Sequence, residues 1–345
     1  MGRFAGPVGS RLVGNATVAA RFLPVWLATV ALVIIAAFAA PNALGHTSWS
    51  YVLPQATVLA IASLGQMLVV IQGGIDLSTP GVISAGGNLV VGIGAASNHR
   101  LPIAILAAIG VGLSVGLVNG VLVGLLRLNP LIVTLAVGQI VLAWSSKYSR
   151  EVVTNQPNVP DGLASWAGTK QLGISNVFWT GAAIAIVVAL ALRYTTVGRR
   201  FQAVGANPKA AWIAGLHVRT HVVFAYAAAG TLYAVAAVLL AGVSLSLDPA
   251  FGSAYLLAPI AAVVIAGASL AGGLASATST WIAALALTLL TQMLVIMGLS
   301  AAMQYVVFGA AIIAGMVVSG DRVAALLGRS LRPAKPPPRQ TAVET

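Results

Sequence analysis

The side chains of this chain that could do chemistry are few and scattered. Four histidines (His46, His99, His217 and His221) and six carboxylates are spread over 345 residues, and there is no cysteine. Without thiols there are no disulfides, thiolate metal sites or thiol nucleophiles. No HExxH pair and no Cys/His cluster is present, and no GxxxxGK[ST] loop offers backbone donors to a nucleotide. The histidines fall in loops or at the ends of apolar runs. Enzymes that work on membrane substrates bring clustered carboxylates or histidines, and here none are clustered. The residues argue against an enzyme, against a resident metal and against a nucleotide bound by this chain itself.

Three local patterns carry more information. The first is Gly112, Gly116, Gly120 and Gly124, which recur every fourth residue. On a helix that spacing lines side-chain-free patches along one face, where another helix can come close. The partner helix could belong to the same chain or to a second copy. Asn119 stands beside the stripe, and a polar amide at mid-span faces a partner helix or a cavity rather than lipid. The second pattern is Gly73-Gly74-Ile75-Asp76-Leu77-Ser78. Two glycines end a helix at little cost, and Asp76, or Thr79 with Pro80 in the first helical position, can cap the next. An isolated carboxylate near hydrocarbon costs roughly 2.5–3.5 kcal/mol. Asp76 must therefore be hydrogen-bonded, capping or close to water. It is either a helix cap at a tight re-entry or a direct part of a substrate path or gate. The third pattern is the basic stretch 199–215. Asn207 is a good N-cap, Pro208 suits a first helical turn, Lys209 to Ala214 are compatible with helix, and Gly215 can stop it. That predicts a short helix inside a loop, with Trp212 and Ile213 as apolar anchors. It could dock a soluble partner or rest on lipid.

The elements that must position these residues follow from composition. Hydrophobic residues make up 59% of the chain and charged residues 7%, against roughly 25% charged in a soluble domain. So few charges cannot cover a water-facing surface, and the outer surface must meet the bilayer. A span needs about 20 mostly apolar residues. Runs at 23–40, 51–72, 81–96 (after the polar break 75–80), 101–126, 130–144, 177–192, 220–241, 255–270, 275–296 and 301–319 predict an all-α membrane protein of about ten helices, broken or re-entrant near 73–80. The third and fifth runs are the most polar or the shortest. The start of the chain imitates a signal peptide, with arginines before an apolar run and Ala37-Phe38-Ala39 after it. That run is longer than an h-region and reads as an uncleaved first helix. The chain carries 18 Lys and Arg and a net charge of +12, but its basic residues sit between apolar runs, which marks topology rather than nucleic-acid binding. With both termini cytoplasmic, fourteen of the 18 lie inside, including all those of 193–219, and only Arg100, Lys147, Arg150 and Lys170 lie outside. The layout is then a cytoplasmic segment 1–22, a transmembrane domain 23–319 with an external loop 147–176 and a cytoplasmic loop 193–219, and a disordered Arg/Pro-rich tail 320–345.

Over about 23–319 the chain resembles the permease subunits of ATP-binding-cassette importers for sugars, the ribose-type carbohydrate permeases related to branched-chain amino-acid permeases. Three stretches carry the resemblance. Gly73-Gly74-Ile75-Asp76-Leu77-Ser78 looks like the family's GGIDLS segment. Leu128-Asn129-Pro130-Leu131-Ile132-Val133-Thr134-Leu135 is similar to its PxFIVTL segment. Val197-Gly198-Arg199-Arg200, through Ala203 to Asn207, Ala210-Ala211 and Gly215, looks like its cytoplasmic coupling loop. Thr79-Pro80 departs from the family's usual Val-Gly, and Trp212 stands where a polar residue is common.

The resemblance implies a permease that does no covalent chemistry. Two permease subunits, in a homodimer or heterodimer, form the translocation path in the bacterial cytoplasmic membrane. A separate ATPase subunit holds ATP and magnesium, and a periplasmic or extracellular sugar-binding protein delivers substrate, with 147–176 a candidate surface for it. It further implies that Gly205, Asn207, Pro208, Lys209, Ala210, Ala211 and Gly215 couple the spans to the ATPase. Gly73, Gly74, Asp76, Ser78, Asn88 and Asn119 would then belong to the gate or path. An ion-coupled secondary transporter of small polar solutes is the rival. It needs a titratable group deep in the membrane, and Asp76 and Asp248 both fall at span ends. A non-transport membrane protein, such as a lipid-modifying enzyme, would need no ATPase partner.

Overall fold

The computed structural model describes residues 7–153, 158–244 and 251–300, with scattered positions between 302 and 313. The tail 320–345, Asp248, part of the 147–176 loop and most of the run at 301–319 lie outside the described residues.

Helices dominate. In chain order they are α1 (Pro7–Ala39), α2 (His46–Ile71), α3 (Thr79–Gly94), α4 (Leu101–Gly120), α5 (Pro130–Glu151), α6 (Asp161–Gly168), α7 (Asn176–Tyr194), α8 (Thr196–Ala206), α9 (Pro208–Ile213), α10 (Val218–Val243), α11 (Ala258–Ile265) and α12 (Ala277–Ile296). Among the described residues 7 helical stretches are long and apolar enough to cross a membrane: α1, α2, α4 with its continuation, α5, α7, α10 and α12. The chain is an all-α membrane protein in this sense. The expected third span, α3, has 16 residues. The expected eighth, 255–270, is not one helix: a 3-10 turn (Phe251–Tyr255) leads into α11 of 8 residues, which ends well short of Leu270. Pro259 in the first turn starts α11, and Gly267 at φ +87° stops it.

Burial sorts the helices. Of the most apolar stretch of α2, 94% is buried, against 11% for α1 and for α7. A helix apolar all round belongs in a core, so α2 is the hub. It packs against α10, α12, α11 and α7, while α3 packs against α4, α5 and α10. Small residues make this possible. A Cβ on Gly112 would strike the Gly230 carbonyl, one on Gly116 the Tyr226 carbonyl, and one on Gly120 would come within 2.8 Å of Val223. The glycine stripe of α4 therefore lies on α10, backbone against backbone, in the same chain.

The two polar segments hold more structure than their composition predicts. α5 runs through Lys147 to Glu151, where those two side chains pair at 3.9 Å in solvent, so the fifth span is longer than 130–144. The rest of 147–176 contains α6 and a two-stranded hairpin, β1 (Lys170–Gln171) and β2 (Ile174–Ser175), paired antiparallel. Leu172 and Gly173, both at positive φ, form its turn. The basic stretch holds α8 as well as the expected short helix. α8 is amphipathic, burying Phe201, Val204 and Gly205 while Arg199 and Arg200 face out.

Candidate functional site

The break between α2 and α3 is held from four sides. Asp76 is 1% exposed. Its Oδ1 accepts from the Ser78 N–H (2.8 Å) and from the Ser78 hydroxyl (2.6 Å). This is an Asx turn one step ahead of the helix, because the N-cap of α3 is Ser78, which makes no capping bond of its own. Asp76 is thus hydrogen-bonded and away from water, and it does not cap α3 directly. Asn119 of α4 donates to the Ser78 Oγ (2.9 Å). Thr134 of α5 accepts from the Leu77 N–H (2.9 Å) and donates to the Pro130 carbonyl (2.8 Å). The Gln66 amide of α2 donates to the Asp76 carbonyl (2.9 Å) and the Tyr233 Oη (3.0 Å), and accepts from the Asp76 N–H (3.1 Å).

Three polar atoms near this segment are buried without a hydrogen-bond partner: Asp76 Oδ2, Asn119 Oδ1 and Tyr226 Oη. Buried polar atoms are nearly always paired, so such a group marks strain or a functional role. Asn88 stands apart. It is fully buried and donates to the Ser145 Oγ at 2.9 Å, joining α3 to α5. In this conformation Asn88 and Asn119 both sit in helix contacts.

Immediately before the break, two double glycines meet. The Gly273 N–H donates to the Ile71 carbonyl at 2.8 Å, so the loop after α11 closes onto the last turn of α2. Gly205, near the end of α8, completes the junction: a Cβ there would strike the Ile71 carbonyl, and one on Gly272 would come within 2.7 Å of the Gly205 carbonyl. The Gln72 amide donates to the Phe201 carbonyl (2.8 Å), tying α8 to the start of the break.

α9 projects from this junction. Asn207 caps it by accepting from the Ala210 N–H (3.0 Å). Gly215, at φ +79°, ends it, with the Leu216 N–H on the Ala211 carbonyl (2.9 Å). Only Ala211 is buried; Trp212 and Ile213 are 73% and 80% exposed. Between α9, the ends of α2 and α4 and the start of α10 lies a cavity of about 970 Å³, lined by Gly73, Gly74, Gly124, Pro208 and Lys209 among others.

The fold thus gathers the sequence candidates into three groups. Asp76, Ser78 and Asn119 form one hydrogen-bonded chain. Gly205 sits on the glycine junction. Gly73, Gly74, Gly124, Pro208 and Lys209 share a cavity. Gln66 and Thr134 also hold the break; the amide of Gln66 within an apolar run is recognisable from the sequence, whereas Thr134 stands in the 128–135 segment and gains this contact only through folding. Tyr226, Tyr233, Gly272 and Gly273 join the site only through folding.

Comparison with known proteins agrees with this architecture. Residues 48–316 match the family described as the branched-chain amino acid transport system permease component. A protein of Sinorhizobium fredii named as an ABC transporter permease is 32% identical over 66% of this chain and 68% of its own length. The ribose import permease protein of Escherichia coli is 29% identical over 66% of this chain and 72% of its own. The galactofuranose transporter permease protein of the same organism is 32% identical over 55% of either chain. No solved structure matches.

Proposed function

Because the chain belongs to the branched-chain amino acid transport system permease family, we propose that it is the membrane-spanning subunit of an ATP-driven sugar importer in the bacterial cytoplasmic membrane. The sugar class comes from relatives named for ribose and galactofuranose. In this reading both termini and the 193–219 segment are cytoplasmic, and the pore forms with a second permease subunit, identical or related. A periplasmic or extracellular sugar-binding protein delivers substrate. ATP and magnesium stay on a separate ATPase subunit, and this chain makes and breaks no covalent bond.

The observation that supports coupling is the backbone-to-backbone junction of α8 with the two glycine breaks. α9 offers Trp212 and Ile213 to a soluble partner. A push on α9 reaches Gly205, which lies against the Ile71 carbonyl with no side chain between them. From there the force meets the break that carries Asp76. Packed elements in direct contact shift as units rather than deforming, so α9 and the α2–α3 break move together.

The test is the double variant Ala210→Asp/Gly215→Asp, reconstituted with the ATPase and binding-protein subunits. Insertion into the membrane should persist while ATP-driven uptake is lost. Normal uptake by the variant would refute the docking role. Uptake by this chain alone, driven by an ion gradient, would refute the importer itself.

A further inference from the structure

The cavity beside α9 has a chemistry that a neutral sugar does not require. Arg127, Lys209 and Arg219 line it, with His217, and no Asp or Glu is among its lining residues. Arg127 sits at φ +58°, a left-handed backbone that a non-glycine residue adopts only when its surroundings enforce it. It follows a π-helical turn, Val121–Leu125, a local widening found often at functional sites. Deeper in, Tyr226 also lines the cavity. It is 1% exposed, and its hydroxyl has no partner. Fixed positive charge at the mouth and an idle phenol donor within are complementary to one anionic, oxygen-rich group.

The remaining lining identifies the source. Val123, Leu125, Val218 and Val222 make the walls apolar, and Trp212 and Ile213 stand exposed beside them. The cavity lies where α4 with its continuation ends and α10 begins, at the ends of two helices long and apolar enough to cross a membrane. Basic pockets between the ends of membrane-spanning helices hold anionic headgroups. A free anion has no use for the apolar walls. We propose that this cavity binds the headgroup of an anionic glycerophospholipid. The phosphate diester would be held by Arg127, Lys209 and Arg219, Tyr226 would donate to one of its oxygens, and the acyl chains would lie along α4 and α10. Such a lipid touches both Gly73-Gly74 and α9, so its occupancy tunes how firmly the two are joined. The site rests on the proposed function only for its cytoplasmic side.

The full-length chain is assayed in nanodiscs of phosphatidylcholine alone or with added phosphatidylglycerol, reading the melting temperature. Neither ATP nor uptake enters, so failure here is separable from failure of the importer reading. Phosphatidylglycerol should raise the wild-type melting temperature by on the order of 4 °C. Arg127→Gln/Arg219→Gln should lose at least half of that rise, whereas Arg193→Gln/Arg199→Gln, with the same charge change outside the cavity, should keep it. Tyr226→Phe should melt no lower than wild type in phosphatidylcholine, because an unpartnered buried hydroxyl is gone, yet gain less from phosphatidylglycerol. That arm carries the test if the arginine variant does not fold. An equal rise in the cavity variants overturns the site, and so does an equal loss in the control pair, which would mean diffuse surface charge. Soluble glycerol phosphate reproducing the full rise would make it a free-anion site. Loss of ATPase co-purification with the lipid response intact would assign the arginines to a protein partner.

Discussion

At the scale of single residues, Asp76 is defined by the asymmetry of its two oxygens. Oδ1 accepts twice from Ser78, and Oδ2 has no partner. Removing the side chain strands the Ser78 N–H in a buried setting, which costs ~1–3 kcal/mol. Asparagine keeps an acceptor at Oδ1 and replaces the unpartnered oxygen with an amide nitrogen. Asp76→Ala should therefore lower stability in detergent by about 2 kcal/mol, while Asp76→Asn stays close to wild type. Thermal unfolding of the two variants is the check: if both behave alike, the Asx turn does not hold the break.

At the scale of elements, the contacts that matter are between backbones. Gly205 and Gly116 each leave no room for a methyl group, because the obstacle is a carbonyl of another helix that cannot swing aside. Gly110, on the same helix as Gly116, has nothing within 4 Å of a Cβ position. Gly110→Ala should thus be neutral or stabilising by up to ~1 kcal/mol through helix propensity alone. Gly116→Ala should destabilise the α4–α10 pair by about 1–3 kcal/mol. Gly205→Ala should leave that pair alone but pry α8 from the α2 terminus. It is expected to lower transport more than melting temperature, and comparison of uptake with unfolding across the three alanines separates packing from coupling. Equal loss of uptake and stability at Gly205 would make the junction merely structural.

At the scale of the molecule, the buried hub α2 is packed among more exposed apolar helices such as α1 and α7. The chain has no cysteine, so a single introduced thiol reports its side of the membrane without background. Arg200→Cys on α8 and Lys170→Cys on β1 are both at exposed positions. A membrane-impermeant maleimide applied to intact cells should label Lys170→Cys and spare Arg200→Cys, and inverted vesicles should reverse the result. Labelling of both from one side would overturn the proposed orientation and the placement of α9 against a cytoplasmic ATPase.

The sequence alone determined that the chain lives in a membrane and that it is built of helices. Those follow from transfer free energy and from residue types, both of which are local. It also determined α9, because Asn207, Pro208 and Gly215 act within one short segment. The tertiary structure decided the rest. The run 255–270 reads as an ordinary span by hydropathy, yet it contains the short α11, stopped before Gly267, since a buried half-helix and a full span are equally apolar. α8 has too many polar residues for a hydropathy signal; Phe201, Val204 and Gly205 share one helical face, but what that face docks against only the fold decides. The glycine stripe was legible as a close contact, but which helix it meets depends on residues more than a hundred positions away. Tyr226 and Gly74, and Lys209 and Gly73, are likewise more than a hundred positions apart. Their shared cavity exists only because the fold brings the end of α2, α9 and the start of α10 together.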